Sequence, residues 1–162
     1  YHIKFDIGYM LSFTGMPTID CCCQIVRDFN VPISAQELME RKEGLFGQML
    51  HLVELIEPVM KVVRAYKGIL PMGIATGSDR HVAHDIIKRT GLDKYMDAIV
   101  TCDDVQNPKP HPETFTRCAE LIGVAPELCM AFEDGEHGMN AARQAGMWVV
   151  DVKPYYDKPV WN

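Results

Sequence analysis

The sequence contains no apolar run long enough to span a bilayer, no signal-like start and no excess of basic residues. Its 16 Lys and Arg residues are outnumbered by 22 Asp and Glu residues, which gives a formal net charge of -6. Nucleic acids and anionic membranes require a basic face, so neither is an expected partner. With 48% hydrophobic residues, the 162-residue chain is long enough to bury a core.

A spaced cysteine framework is also missing, because three of the six cysteines stand together as Cys21, Cys22 and Cys23. No CxxC pair accompanies a pair of histidines, so a structural zinc site has no support. We therefore expect reduced thiols, packing of the cysteine run on a helix face, and a cytoplasmic protein. The scattered histidines at positions 51, 81, 84 and 137 are interpreted as structural or solvated.

The hydrophobic pattern divides the chain near residue 58. Before it, apolar residues recur at helical spacing, which predicts an all-helical domain over residues 1–57 in which Ser34, three residues before Glu37, caps a helix. Residues 58–162 are predicted to form an α/β domain, with a parallel sheet covered by helices on both faces. Its predicted helices cover 59–67, 79–89, 112–121 and 137–144, and its predicted strands cover 72–75, 98–101, 128–132 and 148–152.

Polar residues follow three of these predicted strands. Thr76-Gly77-Ser78 follows the first, Lys109 lies in the loop after the second, and Glu133-Asp134 closes the third. Ligands of such sheets bind at the carboxyl ends of the strands. A hydroxyl and a glycine amide before a helix are suited to binding a phosphate, and an ammonium group can neutralise the charge of that phosphate. Carboxylates are suited to binding magnesium. Each feature alone has a plainer interpretation as a helix cap, a solvated lysine or a pair of turn acids, but their conjunction favours one site.

The local sequence also predicts how two of these side chains are presented. Lys109 lies between Pro108 and Pro110, which predicts an extended backbone and a side chain directed from a stiff loop. Neighbouring side chains of a strand point to opposite faces, so Asp134 must already lie in the turn if it shares a site with Glu133. Gly135 permits that bend.

The three segments resemble motifs of the haloacid dehalogenase superfamily. The sequence I-A-T-G-S matches its second motif, N-P-K-P-H-P its third, and F-E-D-G-E-H-G-M-N-A-A-R-Q-A-G-M its fourth. Residues 1–57 resemble the helical cap that subfamily I inserts after its first strand. The resemblance implies a Rossmann-like α/β core with an all-helical cap, and a magnesium-dependent phosphatase that works through an aspartyl-phosphate.

The resemblance also assigns roles to the motif residues. Thr76 and the Gly77 amide would hold the phosphoryl oxygens, and Lys109 would neutralise charge on the phosphoryl group and its nucleophile. Glu133 and Asp134 would help to place Mg2+. The family's nucleophile and acid/base are two aspartates of a D-x-D-G-T motif, and no such motif precedes the cap here.

The segment Phe5-Asp6-Ile7-Gly8 does not replace that motif, because it lacks the second aspartate and a preceding apolar strand. In the family the strand that carries the motif is central, between the strands that lead to Thr76 and Glu133. The chain begins with Tyr1 and shows no clear domain start, so we expect about twenty to forty further N-terminal residues in the native protein. Residues 1–162 alone are expected to be inactive.

Cap residues set substrate specificity in this subfamily. Thr18, in a loop resembling that of fructose-1-phosphatase-like relatives, and Lys42, resembling a cap lysine of sugar-phosphate members, are the expected substrate contacts. The relatives called β-phosphoglucomutases carry an arginine where Thr18 stands and a lysine where Gln48 stands. Two neutral residues hold a bisphosphate intermediate poorly, which favours hydrolysis of a small sugar phosphate.

Three alternatives stay open on the sequence. A phosphomutase of the β-phosphoglucomutase type is the nearest, and a non-catalytic phosphate-binding fragment comes from a different functional class. A true haloacid dehalogenase fits least, because its chemistry needs no magnesium whereas the acidic pair suits that ion. The sequence predicts no oligomeric state.

Overall fold

The computed structural model describes residues 3, 4, 6–13 and 16–155. The N-terminal part contains helices α1 (Ile7–Leu11), α2 (Thr18–Phe29) and α3 (Ala35–Met49), which confirms the predicted helical pattern. The remainder alternates between helices and short strands. Its elements are α4 (Glu57–Tyr66), β1 (Gly73–Ala75), α5 (Arg80–Thr90), β2 (Ala98–Val100), α6 (Glu113–Ile122), β3 (Met130–Glu133), α7 (Glu136–Gln144) and β4 (Trp148–Asp151).

Local sequence explains how the cap helices begin and end. Ser34 accepts a hydrogen bond from the backbone N–H of Glu37 at 3.1 Å, as predicted for an N-cap. Asp6 is the N-cap of α1 and accepts from the N–H of Gly8 at 3.1 Å, so this segment starts a helix and not a catalytic strand. Helix α2 starts after Pro17 and ends at Asn30, which adopts a left-handed conformation with φ 52°. Gly15, predicted to help separate the first two helices, lies outside the described residues.

The four strands form two parallel pairs. Strand β1 pairs with β2, and β3 pairs with β4. Within the described residues, neither β1 nor β3 has a strand partner on its other edge. The third strand begins two residues later than predicted, because Pro126–Leu128 forms a 3-10 turn. This shift includes Glu133 in β3 and leaves Asp134 directly after it.

Helices α6 and α7 pack together and cover one face of the strands, α6 over β1 and β2, and α7 over β3 and β4. A buried cluster joins α6, α7 and β3 and consists of Phe115, Ala131, Ala141 and Ala142. The opposite side of the β3–β4 pair presents Met130, Phe132 and Trp148 to solvent. The backbone of β1 approaches α6 closely, since a Cβ on Gly73 would lie 2.4 Å from the Cys118 Sγ.

Among the residues that the structure describes, no helix combines the length and the apolar character needed to cross a membrane.

Candidate active site

The predicted residues at the strand ends converge on one cleft of about 250 Å³. The cleft is lined by the loop 76–78 after β1, by Lys109, by Glu133 and Asp134, and by Met16 and Thr18 from the cap. The convergence follows from the parallel strands, whose carboxyl ends lie at the same edge of a sheet. The catalytic and binding roles of these residues stay predictions.

The loop 76–78 has a shape fixed by backbone contacts. Thr76 continues the β1 ladder by donating its N–H to the carbonyl of Val100 at 2.9 Å. Its hydroxyl accepts the N–H of Ser78 at 3.1 Å, which closes a short turn around Gly77. Helix α5 begins immediately afterwards, so the loop combines a hydroxyl, a flexible glycine and a helix N-terminus at the cleft.

Lys109 is almost completely buried, with 4% of its surface exposed. Its ammonium donates to the carbonyl oxygen of Ala75 at 3.0 Å, pairs with the Glu133 carboxylate, and lies 4.5 Å from the centre of the Phe115 ring. These partners compensate a charge that burial alone would disfavour. The lysine therefore links β1 to β3 across the two unpaired strand edges.

The backbone around Lys109 forms a turn that is attached to helix α6. The residue lies in a turn closed by the hydrogen bond from the N–H of His111 to the carbonyl of Pro108 at 3.1 Å, and the Lys109-Pro110 peptide is cis. The conformation predicted for the Lys109 backbone stays a prediction, and the hydrogen bond shows that the lysine lies within a turn. The preceding part of the loop is tied to α6, since the Glu113 carboxylate accepts from the N–H groups of Gln106 at 2.8 Å and Asn107 at 3.0 Å. These donors lower the pKa of Glu113.

The Glu133 carboxylate is fixed by partners at both of its oxygens and by the close approach of α7. One carboxylate oxygen pairs with Lys109, and the other accepts the N–H groups of Asp134 at 3.1 Å and Gly135 at 3.3 Å. Its carboxylate also lies directly against α7, since a Cβ on Gly138 would be 2.1 Å from Oε1. Asp134 lies in the turn between β3 and α7, as the side-chain geometry of strands predicted.

The cap contributes two contacts near the cleft. Lys42 on α3 donates to the Thr18 hydroxyl on α2 at 3.4 Å, so the structure brings the two predicted substrate residues together. Thr18 lines the cleft, and the Lys42 ammonium also lies 5.5 Å from the centre of the Phe46 ring. A second contact joins cap and core, because His137 Nε2 lies 3.1 Å from the Ser12 carbonyl oxygen. The histidine therefore has a structural partner, which agrees with its interpretation from the sequence.

A family model for haloacid dehalogenase-like hydrolases matches residues 31–146. The chain belongs to this family. It is 36% identical over 154 residues to fructose-1-phosphate phosphatase YqaB of Escherichia coli K12, covering 94% of this chain and 81% of the relative. It is 31% identical over 108 residues to a phosphorylated carbohydrates phosphatase of Thermotoga maritima, covering 67% of this chain and 49% of the relative.

Solved structures of the haloacid dehalogenase-like hydrolase family support the fold. The β-phosphoglucomutase of Clostridium difficile superposes with a TM-score of 0.80 at 21% identity, covering 93% of this chain and 70% of that one. CbbY of Rhodobacter sphaeroides, in complex with phosphate, gives a TM-score of 0.77 at 18% identity and covers 91% and 70%. At these identities the likeness concerns the fold alone, and it confirms the predicted Rossmann-like α/β class.

The residues of this haloacid dehalogenase-like chain can be tested for their fit to the magnesium ion that its motifs imply. Asp134 supplies a carboxylate at the cleft, and hard oxygen donors of this type suit Mg2+, which commonly keeps waters and takes further ligands from a substrate phosphate. Glu133 is engaged with Lys109 and two backbone amides, so its contacts fit a positioning role better than direct ligation. Its predicted participation in a metal site stays a prediction.

Two features of this family member were not predicted from the sequence. Phe115 was not predicted as a partner of Lys109, although its place in the first turns of α6, soon after the lysine, was the available signal. The contact between the cap residue Glu43 and the core residue Asp79 joins distant segments, and no local pattern indicated it.

Proposed function

We propose that these residues form most of a magnesium-dependent phosphatase that hydrolyses a small phosphate monoester, specifically a sugar phosphate. The observation that carries the proposal is the convergence of the loop 76–78, the buried Lys109 ammonium and Asp134 on one small cleft. Hydrolysis of phosphoric monoesters is also the activity named for several relatives, including a fructose-1-phosphate phosphatase and a hexitol phosphatase. The enzyme class is therefore that of the phosphatases within this hydrolase family.

Each group in the cleft has a role in binding the phosphoryl group. The Thr76 hydroxyl and the Gly77 amide would bind its oxygens, and the Lys109 ammonium would offset negative charge on it. Asp134 would hold Mg2+, which when bound supplies further neutralisation of phosphoryl charge. Glu133 and the carbonyl of Ala75 hold Lys109 in place, so the ammonium is oriented before substrate arrives.

The nucleophile is proposed to be an aspartate outside the given sequence, on a strand that fills the place between β1 and β3. Two observations support this placement: within the described residues one edge of each strand has no strand partner, and Lys109 lies across these edges. The carboxylate would attack phosphorus, and the ester oxygen would leave with a proton from a second carboxyl group. Water would then cleave the resulting aspartyl-phosphate.

The cap favours hydrolysis over isomerisation in this proposal. A mutase must hold a bisphosphate intermediate by both phosphates, which calls for cationic donors on the cap. Thr18 at the cleft and Gln48 on α3 are neutral, and Lys42 is the nearby cap cation, bonded to Thr18. A single cation next to hydroxyl groups suits one sugar phosphate.

The deciding experiment measures phosphate release by the complete gene product over a panel of sugar phosphates, with Mg2+ and with a chelator. We expect Mg2+-dependent release, and loss of at least about a hundredfold in kcat/KM for Lys109→Gln, since buried electrostatic partners contribute this much in comparable sites. Lys61→Gln, an exposed change on α4, is the matched control and should leave kcat/KM unchanged. Sugar phosphate isomerised without phosphate release would identify a mutase, and no turnover of any substrate would refute the proposal.

A further inference from the structure

The cap and the core meet at two carboxyl groups beside the cleft. Glu43 lies on α3, one residue after Lys42, and Asp79 directly follows the loop 76–78. Glu43 reaches the first turn of α5, where its Oε2 lies 3.6 Å from His81 Nε2, and its carboxyl group interacts with that of Asp79. Glu43 is mostly buried, with 16% of its side chain exposed, and one oxygen of each carboxyl group is buried without a donor from the rest of the described chain. A carboxyl proton between the two groups would satisfy both oxygens.

The Asp79 side chain does not cap helix α5, although its position before the helix suggests that role. It is the N-cap of α5, yet its side chain accepts no hydrogen bond from the first turn of that helix. The N–H of Arg80 is instead accepted by Asp103 at 2.9 Å. Asp79 Oδ1 accepts from the Cys102 thiol at 3.5 Å, and Oδ2 is buried without a donor from the described residues.

Some of the charged groups around Glu43 and Asp79 favour the ionised form of Glu43, and others disfavour it. His81 Nε2 lies 3.6 Å from the outer oxygen of Glu43, and the neighbouring Lys42 also favours its ionised form. On the core side, Asp103 adds negative charge, while Arg80 is paired with Asp104 at 2.6 Å. Burial and the Asp79 carboxylate raise the pKa of Glu43, whereas His81 and Lys42 lower it. The first two effects are larger, so the pKa lies above its ordinary value of 4.5.

We infer that Glu43 and Asp79 are positioning residues for the proposed phosphatase reaction, and that one shared proton joins them and holds helix α3 against the loop 76–78. This inference rests on the proposed function for its catalytic consequence, but the contact itself can be measured without activity. Loss of the proton leaves two partly buried carboxylates facing each other, and their repulsion opens the contact and moves the cap away from the cleft.

The pH dependence follows from the raised pKa. Between the ordinary glutamate value and the raised value, the folded state binds more protons than the unfolded state, so stability falls as pH rises through this interval. Below the interval Glu43 is protonated in both states and the contact is complete. Alkaline conditions therefore weaken the join between cap and core.

The first test compares the melting temperature of the wild-type protein with that of Glu43→Gln between about pH 5 and about pH 8. Glutamine cannot ionise and its amide donates to Asp79, so the variant should exceed the wild type at the alkaline end by about 2–4 °C and show a shallower pH dependence. Glu40→Gln removes the same charge from an exposed position of α3 and should run parallel to the wild type. Parallel curves for Glu43→Gln and the wild type would overturn the inference.

The second test measures KM and kcat of the complete gene product across the same pH range. Titration of the substrate phosphate affects every variant equally, so the ratio of wild-type KM to Glu43→Gln KM isolates the contact. We expect this ratio to rise about threefold or more toward alkaline pH with kcat nearly unchanged, because an open cap weakens substrate binding. A pH-independent ratio contradicts the inference. If no variant hydrolyses any substrate, the proposed function fails while the melting test still decides the contact.

Discussion

A single missing methyl group at position 138 determines where the Glu133 carboxylate can lie. A Cβ there would stand 2.1 Å from Oε1, so Gly138→Ala forces the carboxylate away from its present place. Lys109 then loses its ion-pair partner while still buried. We expect a loss of about 1–3 kcal/mol in unfolding free energy and a fall in phosphate release of at least about tenfold.

Denaturant unfolding and steady-state kinetics measure these two effects of Gly138→Ala. The control is Gly47→Ala on α3, where the added methyl meets nothing within 4 Å. That change should stabilise the helix by up to about 1 kcal/mol, since alanine is the better helix former. Equal behaviour of the two variants would mean that the close approach of Gly138 to Glu133 has no consequence.

The Phe115 ring supports Lys109 through its face. Phe115→Leu removes the aromatic charge distribution while keeping an apolar side chain, and we expect a loss of about 2 kcal/mol in stability together with reduced phosphate release. Phe115→Tyr retains the ring face and should keep both properties. A Phe115→Met variant of similar volume separates packing from the ring effect, because it should behave like leucine and not like tyrosine.

Residue identities at the site could be predicted from the sequence better than their contacts. The polar residues after each strand were identified because parallel strands end at one edge. The pairing of Glu133 with Lys109 could not be predicted, because it depends on the turn of the chain at Pro110 and on the space left by Gly138. Both are three-dimensional features that residue type alone does not specify.

At the scale of elements, the contact between β1 and α6 depends on the absence of a side chain at Gly73. Gly73→Ala places a methyl group 2.4 Å from the Cys118 Sγ, and we expect a loss of about 1–3 kcal/mol in stability. The double variant with Cys118→Ala should recover part of that loss, because the clashing sulfur is removed. Strictly additive unfolding free energies in this double-mutant cycle would exclude direct contact between the two positions.

The loop that leads to Lys109 is attached to α6 by the Glu113 carboxylate. Its lowered pKa means that this attachment contributes stability above the ordinary glutamate value and loses it as pH falls through the folded value. We expect Glu113→Gln to lower the melting temperature near neutral pH and to have little effect in acid, where the wild-type carboxylate is protonated too. An equal decrease in melting temperature at both pH values would contradict this account.

Element types were predictable because hydrophobic periodicity persists along each element, whereas some boundaries were not. Pro126 shifted the start of β3, since the local turn chemistry prevailed over an apolar run that extended further. Gly91 and Gly123 end α5 and α6 in left-handed conformations, which suit a residue without a side chain.

At the scale of the whole molecule, the two strand pairs are joined at their carboxyl ends through Lys109. The proposed central strand would pair with both free edges and protect their amides. We expect slower hydrogen exchange at Gly73–Ala75 and Met130–Glu133 in the complete gene product than in residues 1–162 expressed alone. The shorter chain should also bind a hydrophobic dye through Met130, Phe132 and Trp148. Equal exchange rates in the two proteins would exclude a strand at this place.

The helical cap and the alternating core could be predicted because each is encoded in local periodicity. Their mutual arrangement could not, because the Glu43–Asp79 and His137–Ser12 contacts join segments far apart in sequence. The resemblance that suggests Lys42 as a substrate contact likewise gives no sign of its bond to Thr18.

The contact between His137 and the Ser12 carbonyl attaches the cap to the core beside the acidic turn, since His137 lies in the first turn of α7, three residues beyond Asp134. The inferred Glu43–Asp79 contact attaches α3 at a second place. If only the second contact opens, the segment at Ser12 stays beside Asp134 while α3 moves. Release of the Glu43–Asp79 contact would therefore widen the cleft from the side of α3 and leave the acidic turn in place.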